Sequence, residues 1–169
     1  MIMMSIGRDT EKLIEYIQSS GFMTAPSSTK YHSSYAGGLI VHSLNVYHTF
    51  MSLAGQFGLI LPVDTIKICG LFHDICKAKL YVEQEGKYIY DKNEIRNGHG
   101  KYSVQLLNDL VGLTDQEREI IGYHMGPYGA VEAFPYGEYT MKQLIEVRNK
   151  DAALALFHYA DNIATQFLE

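Results

Sequence analysis

The sequence predicts an all-α fold, a mostly helical domain interrupted by one small β-hairpin. Three observations predict it. Apolar residues recur at helical spacing through most of the chain. Stop and cap residues frame those runs. The period breaks once, in LYVEQEGKYIY over residues 80–90. The chain has 169 residues, 47% of them hydrophobic, which suits one domain over 1–169 with a real core.

The first helix is expected over 8–19, where Leu13, Ile14 and Ile17 share a face and Gly21 follows as a stop. Residues 24–36, rich in Ser, Thr and Tyr, read as a loop. A long helix is expected over 38–57. The next opens at Pro62, carries Asp64 in its first turn and runs to Cys76. Tyr81, Val82, Tyr88, Ile89 and Tyr90 then flank a polar turn containing Gly86, which gives the hairpin. Helical patterns return over 100–111 and 115–124. Thr114 and Glu117 form a capping box for the second of these. Residues 125–139 read as irregular. A last helix is expected over 150–167, capped by Asn149.

Composition narrows the function. The net charge of −5 argues against an extended nucleic-acid-binding surface. No apolar run reaches the length of a membrane span, and residues 1–5 (MIMMS) lack the pattern of a secretion signal. Cys69 and Cys76 fall two turns apart on one expected helix, about 10 Å, too far for a disulfide. They are expected to be reduced core residues of a cytoplasmic protein.

Several polar residues stand where an unpaired polar group is expensive. Asp161 has Leu154, Phe157, Ala164 and Leu168 along its own helical stripe. A buried carboxylate there costs several kcal/mol unless a cation or strong donors meet it. His73 follows Ile66 and Cys69 on one face, His124 follows Ile120 and Ile121, and His42 lies between Leu39 and Val46. Asp74 is next to His73, and adjacent helical residues point about 100° apart, so both reach one ion only if it lies between their directions. Any one of these residues alone is more often a core histidine or a buried ion pair. Four helices each placing an imidazole or carboxylate beside an apolar stripe point to a common metal centre. His99, at a loop-to-helix junction, joins them as a candidate. His48 points to another face, and His158 is expected to pack near Asp161.

The ordered segments GGLIVHS, LFHDICK, GHGKYS, IIGYHMG and HYADNIA resemble the HD-domain superfamily of metal-dependent phosphohydrolases, over about residues 32–165. The wording is most similar to the HD domains of bacterial 3′-to-5′ exoribonucleases and of small HD hydrolases. The resemblance implies an all-α HD-domain bundle with one or two divalent ions (Mn, Fe, Ni, Zn or Mg) at its centre. It implies His42, His73, Asp74 and Asp161 as ligands of a first ion, with Asp74 bridging to a second on His99 and His124. Lys77 matches the lysine of the HDxxK form and would reach a substrate phosphate. His32 matches a histidine near the pocket. Two positions depart from the common pattern: Cys76 stands where glycine is commoner, and Tyr123 stands where many relatives have a second histidine.

The implied reaction is attack of metal-activated water on phosphorus, with Lys77 and Lys101 offsetting phosphoryl charge and Asp74 as ligand or proton acceptor. No Ser-His-Asp arrangement or Gly-rich phosphate loop competes. The expected partner is a small phosphorylated substrate, a nucleotide first among them. Tyr31, Tyr35, Tyr128 and Phe134 are candidates to stack a base, although a chain with 13 tyrosines places some near any site. Two other readings stand beside this one: a di-iron HD-type oxygenase, and a non-catalytic nucleotide-binding sensor with a structural metal.

Overall fold

The structure is a computed structural model that describes residues 6–91, 98–131 and 137–169. Phe134 lies outside the described residues. Among these residues the chain forms seven α-helices and one two-stranded antiparallel hairpin. The helices are α1 (Glu11–Ser19), α2 (Gly38–Gln56), α3 (Val63–Phe72), α4 (His99–Val111), α5 (Asp115–Gly122), α6 (Met141–Lys150) and α7 (Ala152–Ile163). The expected all-α bundle with a small hairpin is what the chain adopts.

Helix α2 is the spine, with α3 packed on one side and α7 on another. Leu39, Val46 and Phe50 of α2 are fully buried, together with Ile68 of α3 and Phe157 of α7. Phe50 and Phe157 meet edge to face with ring centroids 5.0 Å apart, a favoured aromatic geometry. Gly70 lets α3 approach α2 closely. A Cβ there would stand 2.7 Å from the Tyr47 Cα, so a larger residue forces backbone rather than a flexible side chain to move.

Helix α1 starts later than its apolar spacing suggests. The Asp9 carboxylate accepts the Glu11 N–H ahead of the helix, and Arg8 is drawn away to Glu117. Glu117 is the capping-box residue of α5 and is fully buried. It accepts hydrogen bonds from both Arg8 terminal nitrogens at 2.7 and 2.8 Å, from the Thr65 hydroxyl at 2.9 Å and from the Thr114 N–H at 2.8 Å. One carboxylate therefore ties the N-terminal segment to α3 and α5, with its lone pairs satisfied.

The hairpin pairs β1 (Tyr81–Gln84) with β2 (Lys87–Tyr90), Tyr81 opposite Tyr90. Its two turn residues, Glu85 and Gly86, both have positive φ (52° and 74°), the turn whose twist matches paired strands.

Three expectations fail. The helix from Pro62 does not run to Cys76. It ends at Phe72, and after His73 and Asp74 the chain tightens into a 3-10 segment, Ile75–Lys79. Cys69 and Cys76 thus belong to different elements, both as buried free thiols. The last helix is capped not by Asn149 but by Asp151, whose carboxylate accepts the Ala153 N–H at 2.8 Å, and its final turn, Ala164–Leu168, widens to π geometry. Helix α6 has no counterpart in the sequence reading. Only Leu144 and Val147 of it are buried, so its apolar stripe is thin. Its start was nevertheless written as Thr140 and Gln143, a capping box like that of α5.

Two outcomes test this account. Burial alone would raise the Glu117 carboxyl pKa, but the bonds from Arg8, Thr114 and Thr65 hold it below the usual range. Its contribution is present above the ordinary carboxylate pKa and is lost as pH falls through the lowered folded value. Glu117→Gln should lower unfolding free energy by roughly 2–3 kcal/mol in urea at neutral pH, a gap that narrows on acidification. Gly70→Ala should cost about 1–3 kcal/mol through forced separation of α2 and α3.

Candidate metal centre

Six polar side chains from five helical segments converge in the middle of the bundle. His42 comes from α2, His73 and Asp74 from the end of α3, His99 from the first turn of α4, His124 from just past α5 and Asp161 from α7. His42, His73, Asp74 and His124 are buried to 2% exposure or less. The His99 side chain is 24% exposed, Asp161 17% and Lys77 11%, so the cluster opens to solvent along that edge.

Asp74 is the hub. Its Oδ2 lies 3.4 Å from His73 Nε2 and 3.7 Å from His42 Nε2, and accepts a bond from Lys77 Nζ at 2.7 Å. Its Oδ1 lies 3.5 Å from His99 Nε2 and 3.6 Å from His124 Nε2. The two oxygens thus face two different groups of imidazoles. Asp161 Oδ1 completes the first group, 3.3 Å from His42 Nε2. The break in α3 makes this possible. Asp74 leaves helical geometry (φ −106°, ψ 18°), so its carboxylate swings back toward the His73 ring instead of pointing a further turn around the helix. In the 3-10 turn that follows, residues three apart eclipse, which sets Lys77 over Asp74.

The far nitrogens of the rings are already committed. His124 Nδ1 donates to the Ile121 carbonyl at 2.7 Å and His73 Nδ1 to the Gly70 carbonyl at 3.3 Å. His42 Nδ1 meets Glu169 Oε1 at 2.9 Å. These bonds assign a proton to Nδ1 of the three rings and turn their Nε2 atoms inward. There the Nε2 atoms meet in pairs, His42 with His73 at 3.3 Å and His99 with His124 at 3.2 Å, close enough for one shared proton in each pair.

Electrostatics follow the same pattern. Burial pushes the His99 and His124 pKa down to about 3 and about 4, so both rings are neutral near pH 7 and their lone pairs are free. Burial alone would raise the Asp74 carboxyl, but Lys77 and His73 hold it well below the usual range. His42 is the exception. Burial opposes its charge, yet the carboxylates of Asp161 and Glu169 raise it to about 9, so its Nε2 also holds a proton near pH 7 that a bound ion would displace.

The donor set fits a divalent cation. Asp74 Oδ1 is buried without a hydrogen-bond partner, an expensive state for a carboxylate oxygen. Imidazole nitrogens just over 3 Å apart need a proton or a cation between them, and an ion facing both pairs takes the place of those protons. Two overlapping triads, His42/His73/Asp161 and His73/Asp74/His124, each bring three ligand atoms within 4.8 Å of one another. Imidazole and carboxylate suit Zn, Mn, Fe or Ni, and no thiolate competes. Cys76 Sγ donates to the His99 carbonyl at 3.3 Å, and burial pushes that thiol up to about 12.

Other expected residues fall in varied places. His32 stacks near His42 with ring centroids 5.0 Å apart, and its Nε2 is buried without a partner. Lys101 turns away to the 137–139 segment, where its ammonium donates to the Glu138 carbonyl. Tyr31, Tyr35 and Tyr128 are exposed. Tyr123 stacks on Tyr139 at 4.5 Å and lines a cleft of about 290 Å³ that includes Lys101, Arg118 and Glu138 but none of the six. His158 Nδ1 donates to the His124 carbonyl at 2.8 Å and so fixes the backbone behind that ring.

Two acidic residues were not foreseen. Glu138 accepts the Gly100 and Lys101 N–H groups at 3.1 and 2.7 Å, capping the helix turn that carries His99. A Cβ on Gly98 would collide with this side chain at 2.0 Å, which accounts for the glycine beside His99. Glu169 packs its carboxylate behind His42. No local pattern marks either one, because each acts on a residue far away in the chain.

A family model described as HD domain matches residues 39–163. No curated protein and no solved structure gives a match.

Elemental analysis of protein purified without chelator should find bound divalent metal, and Asp74→Asn should carry only background. Full metal content in the variant would remove Asp74 from the centre.

Proposed function

The chain belongs to the HD-domain family, and on that premise we propose that it is a metal-dependent phosphohydrolase acting on a small phosphomonoester or phosphodiester, nucleotide-like in kind. The observation that carries this reading is the Asp74 carboxylate, shared between two groups of imidazoles and bonded to Lys77. An ammonium beside a cation centre is repelled by it. The arrangement becomes favourable when an anionic substrate joins them, and a phosphoryl group supplies that charge.

His42, His73, Asp74 and Asp161 would hold one divalent ion, with His99 and His124 available to a second. Such an ion lowers the pKa of water and so supplies hydroxide near neutral pH. The protein's own groups do the rest. Lys77, at the solvent edge, offsets charge on the phosphoryl oxygens as it builds. His32, 5.0 Å from the His42 ring with a buried Nε2 that has no partner among the described residues, would be available to a substrate group that reached it. The buried walls of α2 and α3 exclude bulk water from the inner face and strengthen each of these interactions. The chain's net charge of −5 favours a compact substrate over a long polyanion, and among the described residues no helix is long and apolar enough to cross a membrane. A cytoplasmic setting suits such a substrate.

Turnover of nucleoside monophosphates, cyclic nucleotides and a model aryl phosphodiester should appear with added Mn²⁺ or Ni²⁺ and vanish with chelator. Lys77→Gln should lower kcat/KM by about 100-fold or more. Oxygen uptake in place of phosphoester cleavage would transfer the site to oxidative chemistry. Ligand binding without turnover under any metal would make it a sensor.

A further inference from the structure

We propose that Glu169 is the positioning residue of the first metal half-site, holding His42 in the one ring orientation and tautomer that can bind an ion; this rests on the metal reading above. Glu169 Oε1 lies 2.9 Å from His42 Nδ1, and its Oε2 accepts the Ser33 hydroxyl at 2.7 Å. Asn45, one turn along α2 from His42, donates to Oε1 at 3.4 Å. The carboxylate is therefore gripped from α2 and from the 24–36 loop, and its side chain is only 1% exposed.

The geometry gives it a role behind the ring rather than in the centre. The cluster gathers on Nε2 of His42, with Asp161, Asp74 and His73 all facing that atom. Glu169 is on Nδ1, the opposite nitrogen. A proton held on Nδ1 by a carboxylate forces the lone pair onto Nε2, makes that nitrogen a better donor and stops the ring from flipping. His73 and His124 achieve the same end with backbone carbonyls of their own helical turns. His42 sits in the second turn of α2, where the carbonyls of the preceding turn are already used by the helix, so its partner must come from elsewhere in the chain.

The test uses the full-length protein, stripped and reloaded with Zn²⁺. Zinc affinity is measured by competition with a chromophoric chelator, and the His42 imidazole N–H is followed by ¹⁵N NMR on the zinc-loaded protein. Glu169→Ala should bind zinc about 10- to 100-fold more weakly and lose the exchange-protected Nδ1–H signal. Glu169→Gln, whose amide oxygen still accepts from Nδ1, should keep that signal and stay within a fewfold of the parent. Far-UV circular dichroism confirms that each variant is folded, and Glu169→Gln carries the comparison if Glu169→Ala is not. Unchanged zinc affinity in Glu169→Ala would overturn the proposal alone. So would a Glu169→Gln protein as weak as Glu169→Ala, since charge and not the hydrogen bond would then be acting. A parent protein that binds no zinc, manganese or nickel would instead overturn the metal reading itself, and this proposal with it.

Discussion

A single carboxylate, that of Asp74, sets the terms for the rest of the structure. It is buried, ionised and only half satisfied: Lys77 answers one oxygen, and among the described residues the other has no hydrogen-bond partner. A packed helical bundle has little reason to carry such a group in its core, because burying charge without full compensation costs several kcal/mol. Much of the surrounding architecture serves it. Helix α3 stops at Phe72, so that Asp74 and His73 face the same way. The 3-10 turn places the lysine. Four imidazoles, from α2, the end of α3, the start of α4 and the second residue past α5, point Nε2 at it.

Those imidazoles are held from behind by partners of different reach. His73 and His124 use carbonyls three residues away, so local helix geometry is sufficient. His99 depends on the cap that Glu138 places on its helix, and His42 depends on Glu169. The inner pair is thus fixed by secondary structure, and the outer pair by tertiary contacts with acidic side chains. Glu169 acts on the His42 ring itself, from the nitrogen opposite the cluster, and Glu138 acts on the backbone turn that carries His99.

The legibility of the chain divides along the same line. Helices with a broad apolar face, such as α2 and α3, were readable from periodicity, and so were the hairpin with its EG turn and the Thr114 capping box. His42, His73, His124 and Asp161 were readable because each interrupts an apolar stripe, a conflict that stands out within a few residues of sequence, whereas Asp74 and His99 joined them through adjacency and the ordered series of motifs. Helix α6 was missed because it buries little and its only clear mark is Thr140 with Gln143. The end of α3 was missed because Ile75 and Cys76 continue the apolar run through a backbone change that periodicity does not register. Glu138 and Glu169 were not readable at all. Glu138 lies in the irregular run FPYGEYT and Glu169 follows Phe167 and Leu168, with no periodic pattern to mark either carboxylate, and the importance of each comes from a partner in a distant part of the chain.

The donors of the centre enter at positions 42, 73–74, 99, 124 and 161, so nearly the whole length of the chain must be in place before they meet. Contacts of that sequence separation form late, because each closes a long loop whose entropy must be overcome first. No fragment, and no partly folded intermediate lacking α7, holds the set. Conversely, a local opening of α4 or α7 disperses it while the α2–α3 core stays packed. The site therefore behaves as a proofreader of its own folding: the donor set exists in no state of the chain except the completed one.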